Sequence, residues 1–238
     1  MSVWLVTGGS RGIGRAVADR VAAAGETVAS FSRSAWIQPP AHPGQVLQVK
    51  ADVTDADSIR HGVDTALEAF GAIDVVVNCA GVHRGGRIGS LDRSTWDDVV
   101  GTNLTGAFEV CRAVAPLLRA GSAIVNVGAV VGLRGFPGDV AYGSAKAGLG
   151  GLTRVLAVEL APRGIRVNLV IPGFVDTDMT AELSARARAR IIETIPAGRT
   201  GTPEEIAEVI DAVARSTYMT GATVPVDGGL LATLGGAR

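Results

Sequence analysis

Several residue types are scarce in this sequence, and each scarcity excludes a class of protein. The only two cysteines, Cys79 and Cys111, are too few for a disulfide framework and too far apart for a CxxC metal or redox motif. Charged residues make up 19% of the chain, below the roughly 25% of ordinary soluble domains. The formal net charge of -1 argues against binding to nucleic acid or to a membrane surface through bulk charge. No run reaches the roughly 18 consecutive apolar residues of a transmembrane helix.

The amino terminus also lacks the basic segment and the long apolar stretch of a secretory signal. Hydrophobic residues nevertheless amount to 47% of the 238 residues, and the mean hydropathy is +0.31. A chain this apolar, with so few charges, is expected to cover part of its surface with copies of itself. We therefore expect a cytoplasmic, self-associating protein whose cysteines pack as small apolar side chains.

Short β-branched runs alternate with longer helical stretches along the chain. The strand runs are apolar throughout, as in parallel strands that helices cover on both faces. The predicted strands are residues 3–7, 27–32, 46–50, 73–78, 122–127, 165–170 and 223–226, and the predicted helices are 12–24, 57–70, 94–118 and 142–160. This alternation predicts one α/β domain over residues 1–238, a Rossmann-like doubly wound parallel sheet of about seven strands flanked by helices.

Two segments interrupt this alternation. Residues 34–45 are proline-rich and predict a surface loop after the second strand. Residues 173–200 form a long insertion that contains the sequence ARARAR at 185–190. Ligands of open α/β sheets bind beyond the carboxyl ends of the strands, so this insertion is predicted to be a substrate lid.

A glycine-rich turn follows the first predicted strand, with the sequence TGGSRGIG at residues 7–14. Glycines let a backbone turn tightly and approach a pyrophosphate, and the helix that follows supplies unpaired N–H groups and the positive end of its dipole. A purely structural turn is the alternative. The position of the loop between a strand and a helix favours dinucleotide binding.

The end of the second predicted strand indicates which dinucleotide binds. A cofactor with a free ribose 2′-hydroxyl usually meets an Asp or Glu there, but no acidic residue occurs between Glu26 and Asp52. Arg33 occupies this region, and with Arg11 it can bind a 2′-phosphate through charge-assisted hydrogen bonds. If both arginines are not simply solvated, the sequence predicts NADPH/NADP+ rather than NADH.

Tyr142 and Lys146 are predicted to be neighbours on one face of a helix, because they stand at positions i and i+4. A carbonyl that accepts hydride develops negative charge on its oxygen and needs a proton donor. The ammonium of Lys146 and the charge of oxidised nicotinamide should lower the pKa of the Tyr142 phenol from its usual value near 10. The same spacing also fits an ordinary helix surface. The three histidines, His42, His61 and His83, show no shared spacing that indicates a metal site or a triad.

Three motifs together resemble the short-chain dehydrogenase/reductase family over essentially the whole chain: TGGSRGIG at 7–14, NCAG at 78–81 and YGSAK at 142–146. Three more segments resemble, within that family, the 3-oxoacyl-[acyl-carrier-protein] reductases of fatty-acid synthesis and their polyketide relatives. These segments are NLTGAF at 103–108, PGFVDTDM at 172–179 and VDGG at 226–229.

The resemblance implies NADPH-dependent reduction of a 3-oxoacyl thioester, carried by an acyl carrier protein, to the 3-hydroxyacyl thioester. Tyr142 and Lys146 would be the catalytic pair, and Asn103 would hold a water in the proton relay. The implied cofactor-binding residues are Gly8, Ser10, Arg11, Gly12, Ile13, Gly14, Arg33, Asp52, Val53, Asn78, Ala80, Gly81, Tyr142, Lys146, Pro172, Gly173, Val175 and Thr177. No metal is implied.

The resemblance also implies partners. The family usually forms homotetramers through the helices that carry Asn103 and Tyr142 and through the C-terminal strand and tail. An acyl carrier protein is acidic and needs basic residues near the mouth of the pocket. By resemblance these are Arg163 and Arg119, although each also fits a solvated arginine at a helix end.

One position departs from the family. Members normally place a serine about 13 residues before the tyrosine, where its hydroxyl donates a hydrogen bond to the substrate carbonyl, but this chain has Ala129 there. Losing one such donor typically lowers the rate on the order of a hundredfold to a thousandfold. Three interpretations stay open: an engineered substitution, a naturally slow or specialised reductase, or an NADP-binding protein without turnover. Reduction of another secondary alcohol's ketone, or of a cyclic ketone, is a further alternative.

Overall fold

The computed structural model describes residues 2–36, 38–181 and 183–233 of the chain, in which strands and helices alternate. The strands are β1 (Val3–Thr7), β2 (Thr27–Ser32), β3 (Val46–Lys50), β4 (Val75–Asn78), β5 (Ala123–Val127), β6 (Arg166–Pro172) and β7 (Thr223–Val226). The α-helices are α1 (Gly12–Ala23), α2 (Ala56–Phe70), α3 (Arg93–Val100), α4 (Gly106–Val114), α5 (Val140–Leu160), α6 (Asp178–Ala181), α7 (Ala185–Glu193) and α8 (Pro203–Arg215).

The seven strands form one parallel sheet in the order β3-β2-β1-β4-β5-β6-β7. The predicted fold class, a Rossmann-like doubly wound parallel sheet, is confirmed. The direction of winding reverses between β1 and β4, and a crevice opens there beyond the carboxyl ends of the strands. This crevice is where such a sheet binds its ligands.

The two faces of the sheet bury separate apolar clusters, which explains why the strands read as continuous apolar runs. In β1, Trp4 and Val6 face the layer formed by α1 and α8, whereas Leu5 faces the layer formed by α2, α4 and α5. All three side chains are fully buried. The burial of both faces fixes the strand register and thereby the positions of the loops at the carboxyl edge.

The long helix predicted over residues 94–118 is interrupted. α3 ends at Val100, a π-helical turn spans Gly101–Thr105, and α4 runs only to Val114. Single π-turns inside helices often occur at functional sites. β4 starts at Val75, two residues later than predicted, and β6 extends to Pro172.

Both cysteines are free thiols, and the proline-rich loop is only partly at the surface. Burial raises the pKa of Cys79 to about 11 and that of Cys111 to about 12, so both thiols stay protonated. The loop predicted at the surface buries Trp36, which is 7% exposed and joins the core cluster beside α1. Its Nε1 donates to Ser30 Oγ at 3.1 Å, and the Arg15 guanidinium lies 3.8 Å above its ring.

No helix in the described part of the chain is both long and apolar enough to cross a bilayer. The tail at 234–238, which the family resemblance assigns to a subunit interface, lies outside the described residues. So do Met1, Ile37 of the proline-rich loop and Glu182 of the predicted lid.

Candidate active site

The carboxyl ends of β1 and β4 are joined by one threonine. Thr7 Oγ1 accepts hydrogen bonds from the backbone N–H groups of Cys79, at 3.1 Å, and Ala80, at 3.0 Å. The Gly8 N–H donates to the Phe31 carbonyl at 2.8 Å and so ties the glycine loop to β2 as well. The NCAG segment and the glycine loop, far apart in sequence, therefore form adjacent walls of the crevice.

The glycine loop has no room for side chains at two of its predicted positions. A Cβ on Gly8 would lie 2.9 Å from Ala80 Cα, and a Cβ on Gly14 would lie 2.5 Å from the Gly8 carbonyl oxygen. Gly8 and Gly12 also adopt φ of 70° and 55°, the left-handed region that favours glycine. The loop thus keeps its backbone exposed to an approaching ligand.

α1 begins directly after this loop, at Gly12. Its N-cap residue, Arg11, makes no side-chain capping hydrogen bond in the part of the chain that the structure describes. The first N–H groups of α1 therefore remain available to an anion, and the helix dipole favours negative charge there. Ser10 lies within the loop, and Ile13 packs against the core beside α1. These features fit the pyrophosphate of a dinucleotide.

The two arginines predicted to hold a 2′-phosphate have different surroundings. Arg33 is exposed just beyond the end of β2. Burial raises the pKa of the nearby Asp52 carboxyl, but hydrogen bonds from Thr54 and the positive charge of Arg33 outweigh this effect and lower that pKa. Arg11 Nη1 lies 4.0 Å from Asp178 Oδ2 at the start of α6. Arg33 thus offers an exposed positive charge, whereas Arg11 faces the predicted lid.

Val53, one of the implied cofactor-binding residues, is buried against the start of α4. A Cβ on Gly106 would lie 2.8 Å from Val53 Cγ2. The Val53 side chain therefore holds the segment after β3 in place, which leaves only its backbone to face a ligand.

α5 carries Tyr142 and Lys146 toward the ends of β4 and β5. Lys146 is buried, and its Nζ donates to the Val127 carbonyl at the end of β5 at 2.8 Å. The same Nζ lies 5.6 Å from the centroid of the Tyr142 ring. The predicted pairing of the two side chains on one helix face is present in the structure.

Asn103 reaches the same place from the π-helical turn. Its Nδ2 donates to the carbonyls of Val82 and Val99, each at 2.8 Å. Its Oδ1 is buried and has no hydrogen-bond partner among the described residues. A Cβ on Gly81 would lie 2.7 Å from this Oδ1 and 3.7 Å from Lys146 Nζ. Glycine at position 81 therefore leaves a space that both polar groups face, which suits a water or a ligand hydroxyl.

The expected lowering of the Tyr142 pKa is not what the chain alone produces. Burial raises the pKa of the Tyr142 phenol, and the negative charge of Asp139 raises it further. Burial also lowers the pKa of Lys146 to about 8, because desolvation disfavours its ammonium. In the chain alone, burial therefore holds the Tyr142 pKa above its usual value. The predicted lowering also requires the positive charge of oxidised nicotinamide, and it stays a prediction.

Ala129 follows the end of β5 in extended conformation and immediately precedes a 3-10 turn at Val130–Gly132. It lies where the family resemblance expects the serine, at the carboxyl edge of the sheet, but its methyl group cannot donate a hydrogen bond. A Cβ on Gly132 would lie 2.7 Å from the Ala147 N, so this turn packs directly on the backbone of α5.

The end of β6 and the start of the predicted lid close the crevice. A Cβ on Gly173, which follows Pro172, would lie 2.6 Å from Asp227 Cα. Val175 is buried, and Thr177 Cγ2 lies 3.4 Å from a Cβ placed on Gly12. Asn78 is buried at the end of β4, where its Nδ2 donates to Asn126 Oδ1 at 2.9 Å. The structure therefore brings the predicted motifs to one edge of the sheet.

A pair that the sequence did not single out lies beside Tyr142. His83 Nε2 and Asp139 Oδ1 are 2.8 Å apart, and the His83 ring meets the Tyr142 ring edge to face with centroids 5.0 Å apart. The hydrogen bond to Asp139 raises the pKa of His83. The available signal was position rather than spacing: His83 lies in the segment after β4, and Asp139 is the residue before α5.

The arginines expected at the pocket mouth are elsewhere. Arg163 donates to the carbonyls of Ala115 and Leu118, at 2.8 Å and 2.7 Å. Arg119 Nη2 contacts Asp74 Oδ1 at 3.1 Å. Because both arginines precede strands of the parallel sheet, they lie at its amino edge. The expectation that they lie at the mouth of the pocket is therefore wrong within one subunit. No cluster of metal-ligating side chains occurs within residues 2–36, 38–181 and 183–233.

Comparison with known proteins yields full-length similarities. Residues 8–231 match the protein family described as enoyl-(acyl carrier protein) reductase. The 3-oxoacyl-[acyl-carrier-protein] reductase FabG of Thermotoga maritima is 42% identical over 240 residues, which covers 96% of this chain and 97% of that protein.

Solved structures are similar over the same extent. The short-chain dehydrogenase/reductase of Brucella melitensis, titled glucose/ribitol dehydrogenase, gives a TM-score of 0.91 at 32% identity and covers 96% of each chain. A blue fluorescent protein from a metagenomic library, solved with NADPH, gives a TM-score of 0.90 at 32% identity, with 96% of this chain and 97% of that chain covered.

Proposed function

Because the chain belongs to the short-chain dehydrogenase/reductase family, we propose that it is an NADPH-dependent reductase of 3-oxoacyl thioesters carried by an acyl carrier protein. The observation that carries this proposal is that Lys146 and Asn103 face one space at Gly81, beside the glycine loop, with the Tyr142 ring 5.6 Å from Lys146 Nζ. The relative from Thermotoga maritima, which is named for this reaction, supports the substrate class.

The chain's own groups supply the proton chemistry of this reaction. When bound, reduced nicotinamide supplies the hydride that adds to the carbonyl carbon. Tyr142 donates its phenolic proton to the carbonyl oxygen, and its burial keeps the phenol protonated until that moment. Lys146 stabilises the resulting phenolate by its positive charge. Asn103 Oδ1, which lacks a partner among the described residues, accepts a hydrogen bond from the water through which the proton is returned.

Cofactor choice follows from charge at the end of β2. Arg33 is exposed there, and no acidic side chain occurs between Glu26 and Asp52 to bind a free ribose 2′-hydroxyl. A guanidinium pairs well with a phosphate in two parallel hydrogen bonds. This arrangement supports NADPH over NADH.

The rim of the crevice suits an acyl chain. Large apolar side chains are exposed in the segments that follow β4, β5 and β6: Ile88 (80% exposed), Leu133 (56%), Phe136 (58%), Met179 (44%) and Leu183 (41%). Apolar exposure on this scale favours an apolar substrate over a sugar. The exposed Arg87, Arg186 and Arg190 in the same segments supply positive charge for an acidic carrier protein.

The proposed setting is the cytoplasm, and the proposed assembly is a homotetramer. Val155 and Val158, 62% and 77% exposed on α5, support self-association because they leave apolar surface uncovered toward the end of the helix remote from Tyr142. Nucleic acid and membranes are not among the proposed partners.

The deciding experiment follows the absorbance of NADPH during incubation with an acetoacetyl thioester of acyl carrier protein. We expect NADPH-dependent turnover that is lost in Tyr142→Phe, while NADPH binding, measured by its fluorescence, is retained. NADH should support at most a tenth of the rate. Turnover that survives Tyr142→Phe would contradict the assignment of the proton donor.

Ala129 favours a second candidate, an NADP-binding protein without turnover, because the usual donor to the carbonyl is missing. Binding of NADPH without reduction by the native chain or by Ala129→Ser would select it. The Brucella melitensis structure titled glucose/ribitol dehydrogenase favours a reductase of another carbonyl. That alternative would be selected if the chain reduces a cyclic ketone, or the ketone that corresponds to a polyol, but not the 3-oxoacyl thioester.

A further inference from the structure

His83 and Asp139 form a built pair that the proposed proton chemistry does not use. Their side chains meet at 2.8 Å, between the segment after β4 and the residue before α5. The backbones of the two segments are also joined, because the Gly86 N–H donates to the Gly138 carbonyl at 2.6 Å. The imidazole is therefore held from both sides of the crevice rather than free on a loop.

The pair is directed at the reacting centre. The His83 ring packs edge to face with the Tyr142 ring, and their centroids are 5.0 Å apart. Since Tyr142 donates to the carbonyl oxygen in the proposed reaction, the substrate oxygen must lie next to this phenol. The imidazole packs against this phenol ring, so it lies beside the place that the oxygen must take.

The residue at position 129 leaves the reacting oxygen without a second hydrogen-bond donor. When hydride adds to a carbonyl carbon, the carbonyl oxygen gains negative charge. Two converging hydrogen-bond donors stabilise this charge. Tyr142 is one donor, and the methyl group of Ala129 cannot be the other. We propose that His83, oriented by Asp139, donates the second hydrogen bond to the reacting oxygen. This proposal rests on the proposed function, because it requires carbonyl reduction.

The protonation state decides whether His83 can donate. With Nε2 engaged by the Asp139 carboxylate, only the imidazolium carries a second N–H, at Nδ1. The hydrogen bond and the charge of Asp139 raise the pKa of His83, and burial opposes them. From α5, the titratable group packed against the imidazole is Tyr142, with Lys146 beyond its ring. On the same segment as His83, Arg84 opposes the imidazolium, but its Nε lies 2.7 Å from Asp98 Oδ2, which offsets the charge.

The two functions of the pair are distinct. His83 would be a catalytic residue, because it touches the substrate oxygen. Asp139 would be a positioning residue that acts through the imidazole. Loss of the Asp139 charge in Asp139→Asn should therefore shift the pH dependence of kcat to lower pH, because the imidazolium would no longer be favoured, while KM for NADPH stays unchanged.

The test is a double-mutant cycle between positions 83 and 129, measured as kcat for an acetoacetyl thioester. We expect His83→Leu to lower kcat on the order of tenfold to a hundredfold in the native background. In the Ala129→Ser background the same change should lower kcat less than threefold, because the serine hydroxyl supplies the donor. His83→Gln, whose amide donates without titrating, should recover part of the rate and remove the decline of kcat above the His83 pKa. His42→Leu, on the exposed proline-rich loop, is the matched control and should have no effect.

Retained NADPH binding and an unchanged unfolding midpoint separate loss of a donor from loss of the fold. An equal loss from His83→Leu in both backgrounds would show a structural role and overturn the proposal, as would no loss in either. If the thioester is not reduced but a small or cyclic ketone is, the proposed substrate fails and the same cycle on that ketone still decides the role of His83. Absence of turnover in every variant overturns both proposals.

Discussion

At the scale of single residues, the site combines a buried phenol, a buried amine and an alanine where a donor is expected. Burial raises the pKa of the Tyr142 phenol and lowers the pKa of the Lys146 amine, so it favours the neutral form of each group. A neutral phenol is suited to donating a proton, but the oxygen that receives it also needs a second donor, for which this chain has the proposed, titrating His83 instead of a serine hydroxyl. Ala129 is the position at which a small change of chemistry has the largest expected effect.

Ala129→Ser should raise the rate of carbonyl reduction at least tenfold, because the added hydroxyl donates to the oxygen that develops charge at every pH, whereas the proposed His83 donor is lost when its imidazolium deprotonates. The measurement is kcat from NADPH consumption. Ala120→Ser, at the amino edge of the sheet, introduces the same hydroxyl away from the crevice and should change nothing. An unchanged rate in Ala129→Ser, measured above the pH at which kcat of the native chain declines and with a substrate that the native chain reduces, would mean that position 129 does not face the carbonyl.

Arg33→Ala should raise KM for NADPH at least tenfold and leave KM for NADH nearly unchanged, because only the 2′-phosphate needs the guanidinium. Steady-state kinetics with both cofactors provides the measurement. Arg60→Ala is a suitable control, since Arg60 is an exposed arginine on α2 that pairs with Asp57. An equal rise of KM for both cofactors would indicate that Arg33 shapes the loop rather than binding the phosphate.

At the scale of elements, the local packing of turns on helices positions the catalytic groups. The 3-10 turn at Val130–Gly132 lies against the backbone of α5 beside Lys146, where a Cβ on Gly132 would be 2.8 Å from the Lys146 carbonyl carbon. Close packing of this kind transmits a displacement of the turn to the buried amine. Glycine at position 132 is therefore tied to the geometry of the site.

Gly132→Ala should lower the free energy of unfolding by about 1–3 kcal/mol, because the methyl group overpacks the contact, and should lower kcat by displacing Lys146. Urea unfolding and NADPH kinetics measure the two effects. Gly151→Ala is the matched control within α5: its Cβ would meet nothing within 4 Å among the described residues. That change should stabilise the protein by up to about 1 kcal/mol through helix propensity. A neutral Gly132→Ala would contradict the close contact.

The strands were predictable from sequence, whereas several features of the helices were not. Apolar runs such as residues 3–7 need burial on both faces, and the sheet supplies it. The π-turn at Gly101–Thr105 has no comparable signal, because its hydrogen bonds differ from those of an α-helix without a change of apolar period. α8 was not predicted, although its sequence contains a recognisable N-terminal capping box, formed by Thr202 and Glu205. The His83–Asp139 pair was missed because its only sequence signal is position: the order of the sheet brings the segment after β4 and the residue before α5 together.

At the scale of the whole molecule, the low charge and high hydropathy of the chain correspond to two exposed apolar surfaces. One is the crevice, whose rim exposes Ile88 and Phe136. The other is the outer surface of α4 and α5, where Phe108, Val155 and Val158 are 44%, 62% and 77% exposed. A substrate can cover the first surface, but Val155 and Val158 of the second lie roughly 20 Å or more along α5 from Tyr142. A copy of the same chain is the simplest cover, because a symmetric interface uses one patch twice.

Val155→Glu combined with Val158→Glu should therefore shift the proposed tetramer to smaller species, as measured by sedimentation velocity at a fixed concentration. Two carboxylates placed at the centre of an apolar interface would have to be desolvated for the subunits to associate. Ile88→Glu is the matched control, since it removes an equally exposed apolar side chain at the rim of the crevice. It should leave the sedimentation coefficient unchanged and raise KM for the acyl substrate. A native protein that sediments as a monomer would assign the apolar face of α5 to a different partner. A tetramer that survives both glutamates would move the subunit contacts to other surfaces.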